Sequence, residues 1–296
     1  MSSTVSKFVH KVIKYVLYIP PTEGAICSSI IKEELEKDKP SMIARFGSTE
    51  IKAILYPYLP WPFRFYLKNR IFSNMETLSG FFPSNEESIR AFSKLMIADM
   101  KLLDILGSWR IEEGLLKKYF PAAIRLKLSE LEPYLQKDPW SEVLENKKIL
   151  VIHPFNITIE SQFNFNREFL FTDKRVLPKF KSLQTIKAVQ TIAGNNSVYK
   201  DWFEALDFMK KDIDSKDFDI AIIGCGAYGF PLAAHIKRMG KKAIHLGGPT
   251  QILFGIKGKR WEENKKFETI INSYFVSPRN QDIPKDFNKV EGGCYW

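Results

Sequence analysis

The fold is decided by the run from Asp217 to Arg260, which reads DFDIAIIGCGAYGFPLAAHIKRMGKKAIHLGGPTQILFGIKGKR. Its first half predicts a buried strand over Asp219 to Ile223, a glycine turn over Gly224 to Gly229, and a helix from Pro231 to Met239. A glycine turn between a strand and a helix is the context in which a GxGxxG pattern binds phosphate, because the backbone N–H groups there are free. The first half therefore predicts an anion-binding turn.

The second half repeats this arrangement, with a strand over Ala243 to Leu246 and a glycine turn over Gly247 to Gln251. Basic residues follow closely, so the two turns together predict a polyanionic ligand. The predicted binding residues are Gly224, Gly226, Gly229, Gly247, Gly248, Gln251, Lys257, Lys259 and Arg260. An alternative stays open, since glycines at such turns also serve tight packing alone.

A dinucleotide site of this kind needs an Asp or Glu about 20 residues after the glycines to hold the ribose hydroxyls. His245, Leu246 and Gly247 occupy that position here, and the nearest carboxylates, Glu262 and Glu263, come after the next helix start. The sequence therefore disfavours NAD as the ligand.

Composition is that of a globular protein of 296 residues, with 45% hydrophobic and 26% charged residues. Lys and Arg number 44 against 34 Asp and Glu, and the net charge of +10 favours an anionic partner: nucleic acid, acidic lipid or a phosphorylated small molecule. Cys27, Cys225 and Cys294 are too few and too scattered for a disulfide framework or a zinc site. Three free thiols in a reducing cytoplasm are expected.

The sequence contains no apolar run of about 18 residues, so a membrane-spanning helix is not expected. Residues Lys7 to Ile19 predict a basic amphipathic helix that ends at Pro20 and Pro21. Such a helix either lies on an anionic membrane surface or packs its apolar stripe on the domain. The predicted location is cytoplasmic, with peripheral contact at the inner face of the cell membrane.

The pattern predicts an N-terminal helical segment over residues 1–40, with a helix from Ala25 to Leu35, and one α/β domain over residues 41–296. A helical and aromatic insertion is expected at about residues 55–146. Within it, Leu55 to Phe82 is rich in aromatics and prolines and predicts surface loops, whereas Glu86 to Leu106 predicts a helix that faces the core.

Short apolar strands alternate with helices from Lys147 onward, which predicts a Rossmann-like, mostly parallel sheet covered by helices on both faces. The predicted elements are a strand over 148–152, a helix over 157–169, a strand over 186–192, a helix over 201–211 and a strand over 220–223.

Ligands of such sheets bind beyond the carboxyl ends of the strands. The residues that follow the predicted strands are Arg45, Gly47, Ser48 and Glu50; His153, Pro154 and Phe155; Gly194, Asn195 and Asn196; Gly224 to Gly229; and His245 to Gln251. Glu50 is the one carboxylate of this set, and it serves as a general base, as a ligand for a divalent ion, or as a charge that stabilises a helix N-terminus.

Arg45 and His153 are the other candidate catalytic residues. Arg45 ends an apolar strand, where its guanidinium needs either a bound anion or an ion pair with Glu50. His153 either donates to a phosphate, acts as acid or base near neutral pH, or is a structural histidine. GxSxG and the P-loop pattern are both missing from the sequence, which disfavours hydrolases and kinases of those types.

Four segments together resemble the GT-D-fold glycosyltransferases of bacterial surface polysaccharide and glycoprotein synthesis. They are Ile43 to Glu50, Gly224 to Pro231, His245 to Gly248, and Gly255 to Trp261. The resemblance spans roughly residues 40–296. It implies a GT-D-like fold, a nucleotide-sugar donor of the UDP-sugar type, and a glycan or lipid-linked acceptor, with no nucleic acid as partner.

Members of that family carry an Arg-Phe/Tyr-Gly-Asp-Gly-Glu motif, whose Asp-x-Glu is associated with metal and nucleotide-sugar binding. Ser48, Thr49 and Glu50 occupy the triplet here, and only the Glu matches. The resemblance therefore implies either Mn²⁺ or Mg²⁺ held at Glu50, or a diphosphate neutralised by backbone N–H groups and lysines. Gly47 and Ser48 would then contact the donor.

A sugar-transfer reaction of this kind needs a cradle for the diphosphate and a base for the acceptor hydroxyl. Glu50 is the candidate base, and Lys257, Lys259 or Arg260 would meet the charge on the leaving nucleoside diphosphate. The aromatic residues Trp61, Phe63, Phe65 and Tyr66 either stack on acceptor sugars or pack in the core. Two alternatives stay open: an NAD-dependent oxidoreductase or methyltransferase, and a non-enzymatic anion-binding protein.

Overall fold

The computed structural model describes residues 20–192 and 197–296. The predicted basic helix Lys7 to Ile19 and the predicted site residues Gly194, Asn195 and Asn196 lie outside the described residues. In the described ranges, none of the helices combines the length and the apolar character needed to span a membrane.

Between residues 20 and 146, the described part of the first half of the chain, there are four helices and three strands. In chain order they are α1 (Ile26–Glu36), β1 (Ser41–Ala44), α2 (Ser48–Leu55), α3 (Trp61–Ser79), α4 (Glu86–Met100), β2 (Ile105–Ser108) and β3 (Ile124–Lys127). Short 3-10 turns connect β3 to the second half, across the region with two prolines, Pro133 and Pro139.

The second half alternates strands with helices. Its elements are β4 (Lys148–His153), α5 (Asn156–Phe165), α6 (Arg167–Leu170), β5 (Ser182–Lys187), α7 (Trp202–Asp214), β6 (Ile220–Ile223), α8 (Gly229–Arg238), β7 (Lys242–His245), α9 (Pro249–Leu253) and α10 (Lys259–Glu262).

The seven strands form one sheet in the order β3-β2-β1-β7-β6-β4-β5, and every pairing in it is parallel. Alternate side chains of each strand enter opposite core layers, because successive residues of a strand point to opposite faces. Met42 and Ala44 pack with α2, α3, α4, α7 and α8, whereas Ile43 packs with α1, α5 and α9. The predicted α/β architecture, a parallel sheet with helices on both faces, is confirmed.

The connections leave the sheet in opposite directions at two places. After β1 the chain enters α2 on one face, and after the neighbouring β7 it enters α9 on the other face. The same reversal occurs between β6, which leads into α8, and its neighbour β4, which leads into α5. Opposite exits open a crevice beyond the carboxyl ends of such strand pairs, where ligands of doubly wound folds bind.

The predicted surface loops between Leu55 and Phe82 are wrong, because most of this region forms the 19-residue helix α3. Pro60 precedes the helix and Pro62 lies in its first turn, where the missing N–H costs nothing and the fixed φ suits a helix. The prolines therefore mark the start of a helix here, and Gly80 ends it with a φ of +66°.

Two other boundaries differ from the prediction. The helix expected to reach Leu106 ends at Met100, and Ile105 begins β2. The strand expected over 186–192 is β5, which spans Ser182–Lys187. Since β2 and β3 belong to the central sheet, residues 55–146 are not a purely helical insertion.

Candidate functional site

A cavity lies beyond the carboxyl ends of four adjacent strands, β1, β7, β6 and β4. The residues that follow or end these strands, Arg45, His245, Gly224 and His153, all line it. The cavity therefore lies across both places where the connections reverse direction. Its volume is about 230 Å³.

Most of the predicted site residues meet in this cavity. Those that line it are Arg45, Gly47, Ser48, Glu50, His153, Gly224, Gly226, Gly247, Gly248, Gln251 and Arg260. These residues come from five separate segments of sequence, and four of those segments end or follow strands whose carboxyl ends meet at one edge of the parallel sheet. The predicted aromatic residues of α3 (Trp61, Phe63, Phe65 and Tyr66) are not among the lining residues and are exposed.

Three predicted binding residues lie outside the cavity lining. Gly229 lies against the His245 ring, since a Cβ built there would lie 2.1 Å from the ring carbon Cε1. Lys257 forms an ion pair with Glu262 at 2.8 Å, and Lys259 is exposed. Packing alone therefore accounts for Gly229, and the cation that lines the cavity from this region is Arg260.

Arg45 brings a positive charge into the cavity without a matching carboxylate. Its guanidinium stacks over the Trp109 ring at 5.2 Å, and its Nε is buried without a hydrogen-bond partner among the described residues. Within residues 20–192 and 197–296, no carboxylate oxygen lies within 4.0 Å of it, so the alternative ion pair with Glu50 does not form. Desolvation lowers the pKa of Arg45. A guanidinium in this position favours a bound anion.

Glu50 lies in the first turn of α2 and is 9% exposed. Its carboxylate folds back over Gly47, because a Cβ built on Gly47 would lie 1.6 Å from Oε2 of Glu50. The missing side chain of Gly47 is therefore what leaves room for the carboxylate at the cavity wall. A carboxylate at a helix N-terminus is also stabilised by the helix dipole.

Two buried histidines face the cavity as neutral rings. Burial lowers the pKa of His153 to about 3, and burial together with the nearby charge of Arg45 lowers the pKa of His245 to about 3. Nδ1 of His153 accepts a hydrogen bond from the Phe155 N–H at 3.0 Å, so its proton is on Nε2. Nδ1 of His245 donates to the Ile223 carbonyl at 3.3 Å. Neutral imidazoles suit hydrogen bonding better than proton uptake near pH 7.

The turn after β6 combines one tightly packed glycine with one open glycine. A Cβ on Gly224 would lie 2.6 Å from the His153 ring and 2.8 Å from the Gly247 carbonyl oxygen. A Cβ on Gly226 would meet only the Ser79 carbonyl oxygen, at 3.7 Å, but Gly226 has a φ of +55°. Gly224 therefore allows two strand ends to approach, and Gly226 allows the left-handed turn that faces the cavity.

The structure adds lining residues that the sequence did not indicate. They are Ser79, Trp109, Thr191, Glu291, Tyr295 and Trp296. Trp109 directly follows β2 and donates from its indole N–H to the Phe46 carbonyl at 2.8 Å. Tyr295 accepts a hydrogen bond from Arg260 at 2.9 Å. Recognition of β2 would have identified Trp109, whereas nothing in the local pattern points to Tyr295 or Trp296.

The side chains offer few ligands for a metal ion. No group of three His, Cys, Asp or Glu side chains suited to a metal occurs in the described part of the chain. The lining carboxylates are Glu50 and Glu291, and Glu291 lies 3.7 Å from Arg260. This set does not fit a metal held by the protein alone, although one carboxylate is enough for Mg²⁺ that is bound mainly by phosphates.

The fold and cavity define a Rossmann-like α/β protein with a glycine-rich cavity at the strand ends, lined by the two arginines Arg45 and Arg260 and the two glutamates Glu50 and Glu291. No protein-family model matches the chain, and no curated protein matches it. A solved structure described as the selenomethionine-substituted domain of unknown function 1792 is similar, with 14% sequence identity, a TM-score of 0.48, and coverage of 96% of this chain and 93% of that chain.

Proposed function

We propose that the protein is a glycosyltransferase that moves a sugar from a nucleotide-sugar donor, of the UDP-sugar type, to a glycan or lipid-linked acceptor. The observation that carries this proposal is the unpaired guanidinium of Arg45, which shares one cavity with the carboxylate of Glu50 and the glycine turn at Gly226. The resemblance to GT-D-fold enzymes adds the setting, bacterial surface polysaccharide synthesis with a cytoplasmic active site.

Arg45 and the backbone around Gly226 form the proposed diphosphate site. Arg45 offers a fork of N–H donors, and the open backbone of the turn offers close approach to an anion. The cavity volume of about 230 Å³ is below the roughly 300–1,000 Å³ of pockets that enclose a whole drug-sized ligand. The diphosphate and donor sugar would therefore fill the cavity, and the nucleoside would extend beyond it.

Glu50 is the proposed general base. It takes the proton from the acceptor hydroxyl while that oxygen bonds to the anomeric carbon, and the bond between this carbon and the diphosphate oxygen breaks. The departing nucleoside diphosphate keeps the electron pair, and Arg45 and Arg260 meet its negative charge. The neutral Nε2–H of His153 is a proposed hydrogen-bond donor to the same group. Lys257 and Lys259 lie outside the cavity lining, so the proposed step does not use them.

A panel of UDP-, GDP-, CMP- and dTDP-sugars, each with and without Mn²⁺ or Mg²⁺, tests the proposal through thermal stabilisation and donor hydrolysis. We expect one nucleotide class to raise the melting temperature and to be hydrolysed slowly in the absence of acceptor. NAD and S-adenosylmethionine belong in the same panel. Stabilisation by either of them, with no response to any nucleotide sugar, would instead support the oxidoreductase or methyltransferase alternative.

A further inference from the structure

The first ten residues of α3 form a surface that we call the α3 tip, residues 61–70. Within it Trp61 is 71% exposed, Phe65 is 69% exposed and Tyr66 is 79% exposed. Trp61 and Phe65 stack on each other at 6.2 Å, one helical turn apart. Large aromatic side chains so far from the core are unusual, and a contiguous set of them marks an interaction site.

The α3 tip also carries positive charge. Arg64, Lys68 and Arg70 lie in it, and no Asp or Glu occurs between residues 61 and 70. Lys68 lies 3.5 Å from Glu86 on the neighbouring helix, so Arg64 and Arg70 supply most of the uncompensated charge. The partner is therefore expected to be both apolar and anionic.

Exposure extends around the whole circumference of the helix. Nine of the ten residues of the tip are exposed, and Arg64 is partly exposed. A protein groove would cover one face of a helix, whereas a lipid interface surrounds an inserted helix tip on all sides. Trp and Tyr rings prefer the headgroup level of a bilayer, and Arg and Lys side chains reach anionic headgroups from there.

We propose that the α3 tip inserts into the surface of an anionic lipid membrane. The proposal stands on the exposure and charge of the tip and does not depend on sugar transfer. The other end of the same helix, at Leu78 and Ser79, lines the cavity. An α-helix of this length spans about 27 Å at 1.5 Å per residue. If the proposed function holds, the membrane surface would lie about one helix length from the cavity that contains Glu50.

Cosedimentation of the full chain with vesicles tests the proposal. Vesicles of phosphatidylcholine alone and of phosphatidylcholine with an equal part of phosphatidylglycerol should be compared at 0.1 and 0.5 M NaCl. We expect binding to the anionic vesicles only, and at least a fivefold loss at high salt, because the Debye length shrinks. The double variants Trp61→Ser with Phe65→Ser, and Arg64→Gln with Arg70→Gln, should each reduce binding at least fivefold.

The matched control is Phe165→Ser, at an aromatic residue that is 76% exposed on α5. This variant should bind vesicles as the wild type does, and thermal unfolding should be alike in all variants because none of these side chains packs in the core. Equal binding to neutral vesicles, or unchanged binding by the Trp61→Ser, Phe65→Ser variant, would overturn the proposal. The proposal would also be overturned if the wild type did not bind vesicles but formed a dimer, and the same double variant were monomeric.

Discussion

Arg45 is expected to lower the stability of this fold, because its guanidinium is desolvated and no carboxylate of the described residues lies within ion-pair distance of it. Such a cost is expected where a charge serves a ligand. We predict that Arg45→Met weakens binding of the nucleoside diphosphate about 10- to 100-fold, since hydrogen bonds to charged groups contribute about 1.5–3 kcal/mol. The free energy of unfolding should stay unchanged or rise. Calorimetric titration and urea unfolding measure the two quantities.

Arg175→Met is the matched control, because Arg175 is exposed and forms an ion pair with Asp173 at 2.8 Å. This variant should bind the nucleotide as the wild type does. If Arg45→Met bound it equally well, the anion would lie elsewhere in the cavity. A large loss of stability in Arg45→Met would show that the guanidinium supports the fold.

Gly47 and Glu50 form a pair in which one residue makes space for the other. A methyl group on Gly47 would overlap Oε2 of Glu50, at 1.6 Å. We therefore predict that Gly47→Ala displaces the carboxylate and lowers the rate of transfer about as much as Glu50→Gln does. Both variants should keep donor affinity within about threefold, because a general base acts in the transition state. Steady-state kinetics with donor titrations separate the two effects.

A double variant shows whether the two residues act through each other. Gly47→Ala should destabilise the wild type but be tolerated in a Glu50→Ala background, where the clash is gone. The double variant should remain inactive, since it lacks the proposed base. Activity in Glu50→Gln equal to that of the wild type would remove Glu50 from the mechanism.

At the scale of elements, alanine variants of two glycines show whether Gly226, in the turn after β6, contacts the ligand or is needed only for its backbone conformation. Gly226 and Gly240 both have positive φ, +55° and +81°, and neither has a close neighbour where a Cβ would lie. Gly→Ala at either site should therefore cost about 1–2 kcal/mol of stability through backbone strain. Only Gly226→Ala should weaken nucleotide binding, by about tenfold or more, because only Gly226 lines the cavity.

Urea unfolding and nucleotide titration of the two variants provide the comparison. Equal affinity in both variants would show that the turn at Gly226 is a packing feature. An affinity loss in Gly240→Ala as large as that in Gly226→Ala would mean that strain, and not contact with the ligand, weakens binding.

The elements that the sequence predicted well are those that are buried. All four residues of β6 are buried, so an unbroken apolar run identified the strand to within one residue of its observed bounds. The helix α3 was missed for the opposite reason, because only Ile71, Phe72, Met75 and Ser79 of its residues are buried. With aromatics on every side of its first turns, it has no clear apolar stripe.

The bounds of β2 and β5 were predicted wrongly, because the local sequence pattern there does not show where the strand begins and ends. β2 begins five residues after the end of α4, and Leu103 continues the helical spacing of apolar residues up to it. β5 is an edge strand with Ile186 as its one buried residue, so alternation gave no reliable bounds. Both errors removed the residues after these strands from the predicted site, Trp109 among them.

At the scale of the whole molecule, the cavity depends on contacts that no local pattern contains. The strand-end rule found Arg45, His153, Gly224 and Gly247 because parallel strands share one carboxyl edge. Tyr295 also lines the cavity, but it does not follow a strand, and its backbone carbonyl lies against Gly258. Residues such as Tyr295, which line the cavity without following a strand, can therefore be identified only from the structure.

The buried histidines make the stability of the whole molecule depend on pH. Their pKa is about 3 in the folded protein against an ordinary 6.5, so below pH 6.5 the unfolded chain binds protons that the folded one does not. The stability that the buried neutral histidines contribute is therefore complete above pH 6.5 and is lost as the pH drops toward 3. The free energy of unfolding changes by about 1.4 kcal/mol per pH unit for each such residue. Between pH 6.5 and 5 it should therefore fall by about 2 kcal/mol for His153 and by about the same amount for His245.

Urea unfolding at pH 7.5 and 5.0 measures this loss, and His153→Asn is the comparison, because an Asn carbonyl can accept the Phe155 N–H in place of Nδ1. Burial raises the pKa of Asp99 and Glu132, which stabilises the fold as the pH falls and offsets part of the loss in both proteins. The difference between the two proteins therefore isolates His153, and it should be about 2 kcal/mol. An identical pH dependence in both would mean that His153 keeps its ordinary pKa in the folded state, which would restore it as an acid or base near neutral pH.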